Sequence, residues 1–139
     1  MGRLAGIDFG QVRIGLALSD PSKIIASPLK AVLTKKSLKE TALVIWQEFV
    51  PFEPIEKIVI GLPLLMSGKE SPGSKQVREL APHLEEISGK PVVFWDERLT
   101  TAQVERTLKE AEFSRKKRTQ YIDAMAAAAI LQSYLDSNL

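Results

Sequence analysis

Residues 4–19 read LAGIDFGQVRIGLALS, and this stretch decides how the chain begins to fold. The run 4–9 is apolar apart from Asp8, which is typical of a buried strand. Residues 10–12 form a tight turn. Residues 13–19 are again rich in apolar side chains, so they are predicted to pair with the first strand in antiparallel fashion.

A third strand is predicted at 24–33, at the edge of the sheet, because Pro28 cannot donate a ladder hydrogen bond. Beyond it the apolar residues recur at helical spacing, which predicts a helix at 38–49 with Ser37 as its N-cap. The β-branched run 57–61 then predicts a strand that is buried on both faces.

The second half of the chain alternates between helices and strands. We predict a loop at 62–74, a helix at 76–88, a strand at 91–95 and helices at 101–111 and 115–136. Strand–helix–strand units pair in parallel through right-handed crossovers. The predicted fold class is therefore α/β, with a mixed five-stranded sheet (three antiparallel strands, then two parallel ones) flanked by helices.

Composition limits the classes of protein that this chain can represent. Its 139 residues suit one domain spanning 1–139, and 45% hydrophobic with 26% charged residues is ordinary for a soluble globular protein. The chain has no cysteine and a single histidine, His83, which argues against disulfides and zinc sites. We find no secretion signal or membrane span, so we expect a cytoplasmic protein that does not bind membranes.

Acidic residues follow two of the buried strands. Asp8 lies late in the first strand, and Asp96 and Glu97 end the last one. Ligands of open α/β sheets bind beyond the carboxyl ends of parallel strands, so these acids are expected to converge. Asp123 is followed by small residues that would let the final helix lie close to the same edge of the sheet: Ala124, Ala126, Ala127, Ala128 and Ala129.

Carboxylates that are held together repel one another and lose hydration, and a hard cation relieves both effects. Magnesium accepts a few carboxylates together with waters and phosphate oxygens, and a pair of such ions can catalyse phosphodiester hydrolysis. This chemistry requires neither cysteine nor histidine. The acids therefore predict metal-dependent phosphoryl chemistry.

Each acid also has a purely structural interpretation. Asp8 could cap the turn that follows it, Asp123 could be a favourable acid near a helix start, and Asp96 or Glu97 could form a salt bridge with Arg98. Adjacent strand residues point to opposite faces, so Asp96 and Glu97 cannot both face one site on an extended strand. Sequence spacing leaves open which of the two does.

Basic side chains near these acids are candidates for contacts with a nucleic-acid backbone. Some lie in the loop that follows the fourth strand, and others in the basic run that enters the final helix. The alternative is an ordinary solvated surface. The candidates are Arg13, Lys69, Lys75, Arg98, Lys116 and Lys117.

Ordered blocks across nearly the whole chain resemble the YqgF family, also called RuvX. The blocks are GIDFG at 6–10 with RIGLALSD at 13–20, GLP at 61–63, WDERLTT at 95–101, and SRKK at 114–117 with IDAMAA at 122–127. Two positions depart from the family pattern: Leu65 stands where asparagine is common, and Gln11–Val12 replaces a Thr–Lys-like turn.

This resemblance implies a ribonuclease-H-like fold related to the resolvase RuvC, and a nuclease that depends on Mg²⁺ or Mn²⁺. It implies that Asp8, Glu97 and Asp123 are catalytic and bind the metal, and it is the resemblance that favours Glu97 over Asp96. The family role is stated in two ways: resolving Holliday junctions in branched DNA, or trimming the 5′ end of precursor 16S rRNA. We favour the second, with ribosomal particles as further partners.

Other functions remain open from the sequence. One alternative is a non-catalytic nucleic-acid-binding module that assists ribosome assembly on the same fold. Another is a fragment of an ATPase, since an Asp-x-Gly turn also opens actin-like and sugar-kinase folds, although those folds require two such domains.

Overall fold

The computed structural model describes residues 2–100 and 115–137, with side chains for 2–100 and 122–137. Its strands are β1 (Arg3–Asp8), β2 (Arg13–Ser19), β3 (Ala26–Leu33), β4 (Ile55–Leu62) and β5 (Val92–Asp96). Its α-helices are α1 (Leu38–Phe49), α2 (Pro72–Ser88) and α3 (Arg115–Ser137), and short 3₁₀ turns cover Val50–Phe52 and Glu97–Leu99.

The strands form one sheet in the order β3-β2-β1-β4-β5. The β1–β2 and β2–β3 pairs are antiparallel, whereas β4 pairs in parallel with both β1 and β5. The predicted mixed sheet is thus confirmed. Strand β3 lies at an edge as predicted, and its pairing with β2 shifts register close to Pro28.

Alternation along the strands divides the core between the two faces of the sheet. On one face, Ile7, Ile58 and Ile60 pack with apolar residues of α1 and α2. On the other, Leu4, Ala17 and Val59 pack with residues of α3. Burying both faces explains why the central strands are almost continuously apolar.

Glycines in the sheet let α3 come unusually close to it. A Cβ built on Gly6 would lie 2.8 Å from the Cβ of Leu131, and one on Gly15 would lie 1.8 Å from the backbone oxygen of Asp123. A side chain at either position would hold the helix away. The prediction that small residues bring this helix close to the sheet is confirmed.

Helix starts follow local capping chemistry. Ser37 caps α1 by accepting a hydrogen bond from the Glu40 amide, as predicted. Helix α2, however, begins at Pro72, earlier than the predicted residue 76, because Ser71 and Ser74 form a reciprocal capping box and Pro72 suits the first turn. The predicted loop at 62–74 was therefore too long at both ends, since Leu62 still belongs to β4.

The boundaries of other elements differ only slightly from prediction. Strand β3 starts at Ala26 rather than residue 24, because the Asp20 carboxylate accepts hydrogen bonds from the Ile24 and Ile25 amides and keeps them in the turn.

The predicted helix at 101–111 lies outside the described residues. In the described ranges, no helix has the length and apolarity needed to cross a bilayer.

Candidate metal and nucleic-acid site

Asp8 lies at the centre of the sheet, where β1 ends. Its side chain is on the face covered by α3, because it follows Gly6 by two residues and Gly6 faces that helix. Asp8 is paired with Gly15 of β2, and the preceding residue, Ile7, is paired with Ile60 of β4. Only 5% of Asp8 is exposed, so it is a buried acid at the end of an apolar strand.

Glu97 reaches the same face from the end of β5. Its side chain lies over Gly61 of β4: a Cβ built on Gly61 would be 2.9 Å from Glu97 Cγ and 2.6 Å from Ile130 Cδ1 of α3. The absence of a side chain at Gly61 therefore makes the space that Glu97 occupies. Because Gly61 follows Ile60, whose partner in β1 is Ile7, the part of β4 that Glu97 covers lies level with the end of β1 that carries Asp8.

Asp96 has a different role. Its carboxylate caps the 3₁₀ turn by accepting a hydrogen bond from the Arg98 amide at 2.9 Å, and it receives Arg98 Nη2 at 2.6 Å. The Arg98 side chain holds the pKa of Asp96 below its ordinary value. Asp96 thus stabilises the turn while the Glu97 side chain lies over Gly61. Alternation along the strand had left open which of the two acids does so.

Asp123 reaches this region from α3. Its backbone lies against Gly15, the partner of Asp8, and its Oδ2 receives a hydrogen bond from Arg13 Nε at 3.1 Å. This ion pair joins β2 to α3 and is partly shielded, with 37% of the Arg13 side chain and 18% of the Asp123 side chain exposed. The sequence had not predicted the pairing.

The three predicted metal ligands therefore lie on one face of the sheet, around the end of β1. Among residues 2–100 and 122–137, however, no three acidic or histidine side chains lie close enough together to hold one ion between them. Their donors are all carboxylate oxygens, which suit Mg²⁺ or Mn²⁺. Gly15 makes room for the backbone of Asp123, and Gly61 makes room for the side chain of Glu97.

A loop at 63–71 connects β4 to α2 beside these acids. Arg98 Nη1 donates to the Met66 carbonyl oxygen at 3.1 Å, and Ser71 donates to the Pro63 carbonyl. The Ser71 bond joins the two ends of the loop, and the Arg98 bond anchors its middle. Two apolar side chains of the loop face solvent: Met66 is 86% exposed, and Leu65 is also exposed. Hydrogen bonds therefore restrain this loop, although it exposes two apolar side chains to solvent.

The predicted basic contacts occupy different environments. Lys69 and Lys75 are exposed, on the loop and on the first turn of α2. Arg13 and Arg98 instead bind the carboxylates of Asp123 and Asp96. The side chains of Lys116 and Lys117 lie outside the described part of the chain, although both residues belong to α3.

Sequence reasoning missed the residues that anchor the Glu97 turn to α3. Trp95 Nε1 donates to Ser133 Oγ at 2.9 Å, and Ser133 Oγ lies 3.3 Å from the Leu99 carbonyl oxygen. It also missed Gly15 and Gly61. Glycine inside an apolar strand often marks a close approach, so those two had a readable signal, whereas Ser133 had none.

Comparison with known proteins supports the resemblance noted from the sequence. A protein of Protochlamydia amoebophila, named "Putative pre-16S rRNA nuclease", is 46% identical over 97% of this chain and 93% of its own length. A protein of the same name from Syntrophomonas wolfei is 46% identical over 96% of this chain and 94% of its own length.

Solved structures show a similar fold. RuvC of Thermus thermophilus, bound to a Holliday junction, aligns with 99% of this chain and 96% of its own, with a TM-score of 0.56 at 18% identity. The fowlpox virus resolvase, also bound to a Holliday junction, aligns with 99% of both chains, with a TM-score of 0.57 at 13% identity. The mixed sheet and its helices therefore form a ribonuclease-H-like fold.

The sequence pattern of the RuvX family, described as Holliday junction resolvase, matches residues 2–137. This match covers every described strand and helix, including the elements that carry the three acids. The chain belongs to the RuvX family.

Proposed function

We propose that this protein is a metal-dependent nuclease that hydrolyses phosphodiester bonds, with precursor 16S rRNA as its favoured substrate and Mg²⁺ or Mn²⁺ as its cofactor. One observation carries the proposal: Asp8, Glu97 and Asp123 lie on one face of the sheet, around the end of its central strand. Membership of the RuvX family and the names of the relatives support nuclease activity.

The chain supplies a rigid frame for such a reaction. Asp8 is held at the centre of the sheet by pairing on both sides of β1, and Glu97 is held over Gly61 by the turn that Asp96 caps. Asp8, Glu97 and Asp123 would hold the divalent ion. When bound, that ion would polarise the phosphate and lower the pKa of a bound water.

The surroundings of the acids suit a nucleic acid. Lys69 and Lys75 are exposed on the loop that follows β4 and on the first turn of α2, where they would bind the phosphodiester backbone. Leu65 and Met66 expose apolar groups on the loop that Arg98 holds, and such groups can pack against unstacked bases. Positive charge and apolar surface would thus both reach the substrate from this loop and from the start of α2.

A second candidate is branched DNA, because the family description names Holliday junction resolution. The acidic site is the same for either substrate. Only the shape of the nucleic acid that reaches it would differ.

The test is a cleavage assay with purified protein and Mg²⁺ or Mn²⁺. It compares precursor 16S rRNA, a four-way DNA junction and a single-stranded oligonucleotide. We expect cleavage of the precursor, and Asp8→Asn should reduce it by at least about 10–100-fold, the loss that follows removal even of an outer partner of a metal ligand.

Asp136→Asn is the matched control, since Asp136 is an exposed acid at the far end of the helix that carries Asp123. It should cleave like the unmodified protein. RNA binding without metal-dependent products would instead favour a non-catalytic assembly module. Junction cleavage without RNA cleavage would replace the favoured substrate.

A further inference from the structure

The Arg13–Asp123 ion pair lies inside the proposed metal site. Arg13 Nε donates to Asp123 Oδ2 at 3.1 Å across 110 positions of sequence, joining the second strand to the last helix. Arg13 lies on the same face of β2 as Gly15, against which the Asp123 backbone rests. The pair therefore stands next to Asp8, the residue opposite Gly15.

A guanidinium and a divalent ion compete for the same carboxylate. Asp123 is paired with Arg13, so a divalent ion that binds the Asp123 carboxylate must displace this guanidinium or share the carboxylate with it. Arginine stays charged at every accessible pH, so it cannot leave the carboxylate by losing a proton. It leaves most readily when another anion takes its place.

A phosphodiester is the anion that a nuclease brings to this site. The guanidinium fork matches phosphate oxygens in geometry as well as charge. With 37% of its side chain exposed, Arg13 is accessible to a bound strand, whereas Asp123 is more shielded at 18%. Exchange of partners would therefore move Arg13 toward the substrate and leave Asp123 for the metal.

We propose that Arg13 couples substrate binding to metal binding: it restrains Asp123 in the free protein and releases it when a phosphodiester takes its place. This inference rests on the proposed function. Arg13 would be a positioning residue for the metal ligand Asp123. Coupling of this kind is reciprocal, so substrate would tighten metal binding by the same factor as metal tightens substrate binding, typically about 5–150-fold.

The first test measures Mn²⁺ binding without nucleic acid, by electron paramagnetic resonance, for the unmodified protein, Arg13→Gln, Asp123→Asn and the double variant. If Arg13 restrains Asp123, Arg13→Gln should tighten Mn²⁺ binding at least about 5-fold, the lower end of typical coupling. The double variant should bind like Asp123→Asn alone. Equal tightening with and without Asp123 would mean that Arg13 acts only through its charge, and would overturn the proposal.

The second test requires no change at Arg13, so it holds even if Arg13→Gln fails to fold. It adds a short phosphorothioate oligoribonucleotide, which resists hydrolysis, and compares the unmodified protein with Asp123→Asn. Asp123→Asn should weaken Mn²⁺ binding clearly when the oligonucleotide is bound and much less when it is absent. An equal effect in both conditions would also overturn the proposal.

Asp8→Asn distinguishes a failure of the proposed metal site from a failure of the coupling alone. If Mn²⁺ binding is absent, or is unchanged by Asp8→Asn, the proposed metal site itself fails. If Asp8→Asn abolishes binding while both Arg13-dependent effects are missing, the metal site stands and only the coupling fails.

Discussion

At the scale of single residues, two glycines shape the site in different ways. A Cβ at Gly15 would meet the backbone of Asp123 at 1.8 Å, whereas a Cβ at Gly61 would meet only side-chain atoms of Ile130 and Glu97. Backbone of a packed helix cannot yield without moving the helix, but a side chain can rotate. The same substitution should therefore affect mainly stability at Gly15 and mainly activity at Gly61.

We expect Gly15→Ala to reduce the free energy of unfolding by about 1–3 kcal/mol, the usual result of overpacking. Gly61→Ala should cost less stability, yet it should strongly reduce cleavage, because the new methyl group displaces Glu97. Urea denaturation and the Mg²⁺-dependent cleavage assay measure the two quantities. Full activity of Gly61→Ala would show that the position of Glu97 over Gly61 does not matter for the reaction.

At the scale of elements, the N-caps of α1 and α2 are chemically alike but differ in what else they hold. Ser37 accepts a hydrogen bond from its own helix, at Glu40. Ser71 caps α2 through Ser74 and also donates to the Pro63 carbonyl, at the base of the loop beside the acids. Helix α2 and that loop are therefore joined through one hydroxyl group.

Ser37→Ala and Ser71→Ala should each reduce the free energy of unfolding by about 1 kcal/mol, because each removes a helix cap. Only Ser71→Ala should also lower cleavage, since it frees the end of the loop at Pro63. Thermal unfolding and initial cleavage rates at saturating metal test this pair, with Ser37→Ala as the control. Equal rates for both variants would remove the loop from the proposed mechanism.

At the scale of the whole molecule, several carboxyl groups make its stability sensitive to acid. Backbone amides of Ile25 and Ile24 lower the pKa of Asp20 from its ordinary 3.8. Cationic side chains similarly lower the pKa values of other acids: Lys23 acts on Glu56, Arg78 on Glu70 and Arg98 on Asp96. The unfolded chain therefore binds more protons than the folded protein in acidic solution.

It follows that these groups stabilise the protein fully above their ordinary values, 3.8 for aspartate and 4.5 for glutamate. Their contribution is lost as the pH falls through the lower values of the folded state. Urea denaturation between pH 7 and pH 3 should show this decline. Asp20→Asn, which keeps the oxygen that accepts from Ile24 and Ile25, should make the decline shallower; an unchanged slope would contradict the prediction.

Much of the fold follows from local chemistry that can be read along the chain. The periods of the strands and helices depend on residues that are close together in the chain. The same is true of the Ser37 cap of α1 and of Gly89, which ends α2 with φ 72°. It is also true of the position of Asp8 at the end of an apolar run. Helix α2 was placed incorrectly at its start because the Ser71–Ser74 capping box lay in a stretch that reads as loop by composition.

The sequence by itself determined the order of elements, the mixed sheet and the acids that follow its strands, because these depend on period and on residues close together in the chain. Tertiary structure alone decided that Glu97 rather than Asp96 lies over Gly61, and that Arg13 pairs with Asp123. Both outcomes depend on contacts between distant segments: the turn that Asp96 caps, and the close approach of the last helix to Gly15. Spacing along a chain carries no information about such contacts until the sheet and helix are packed together.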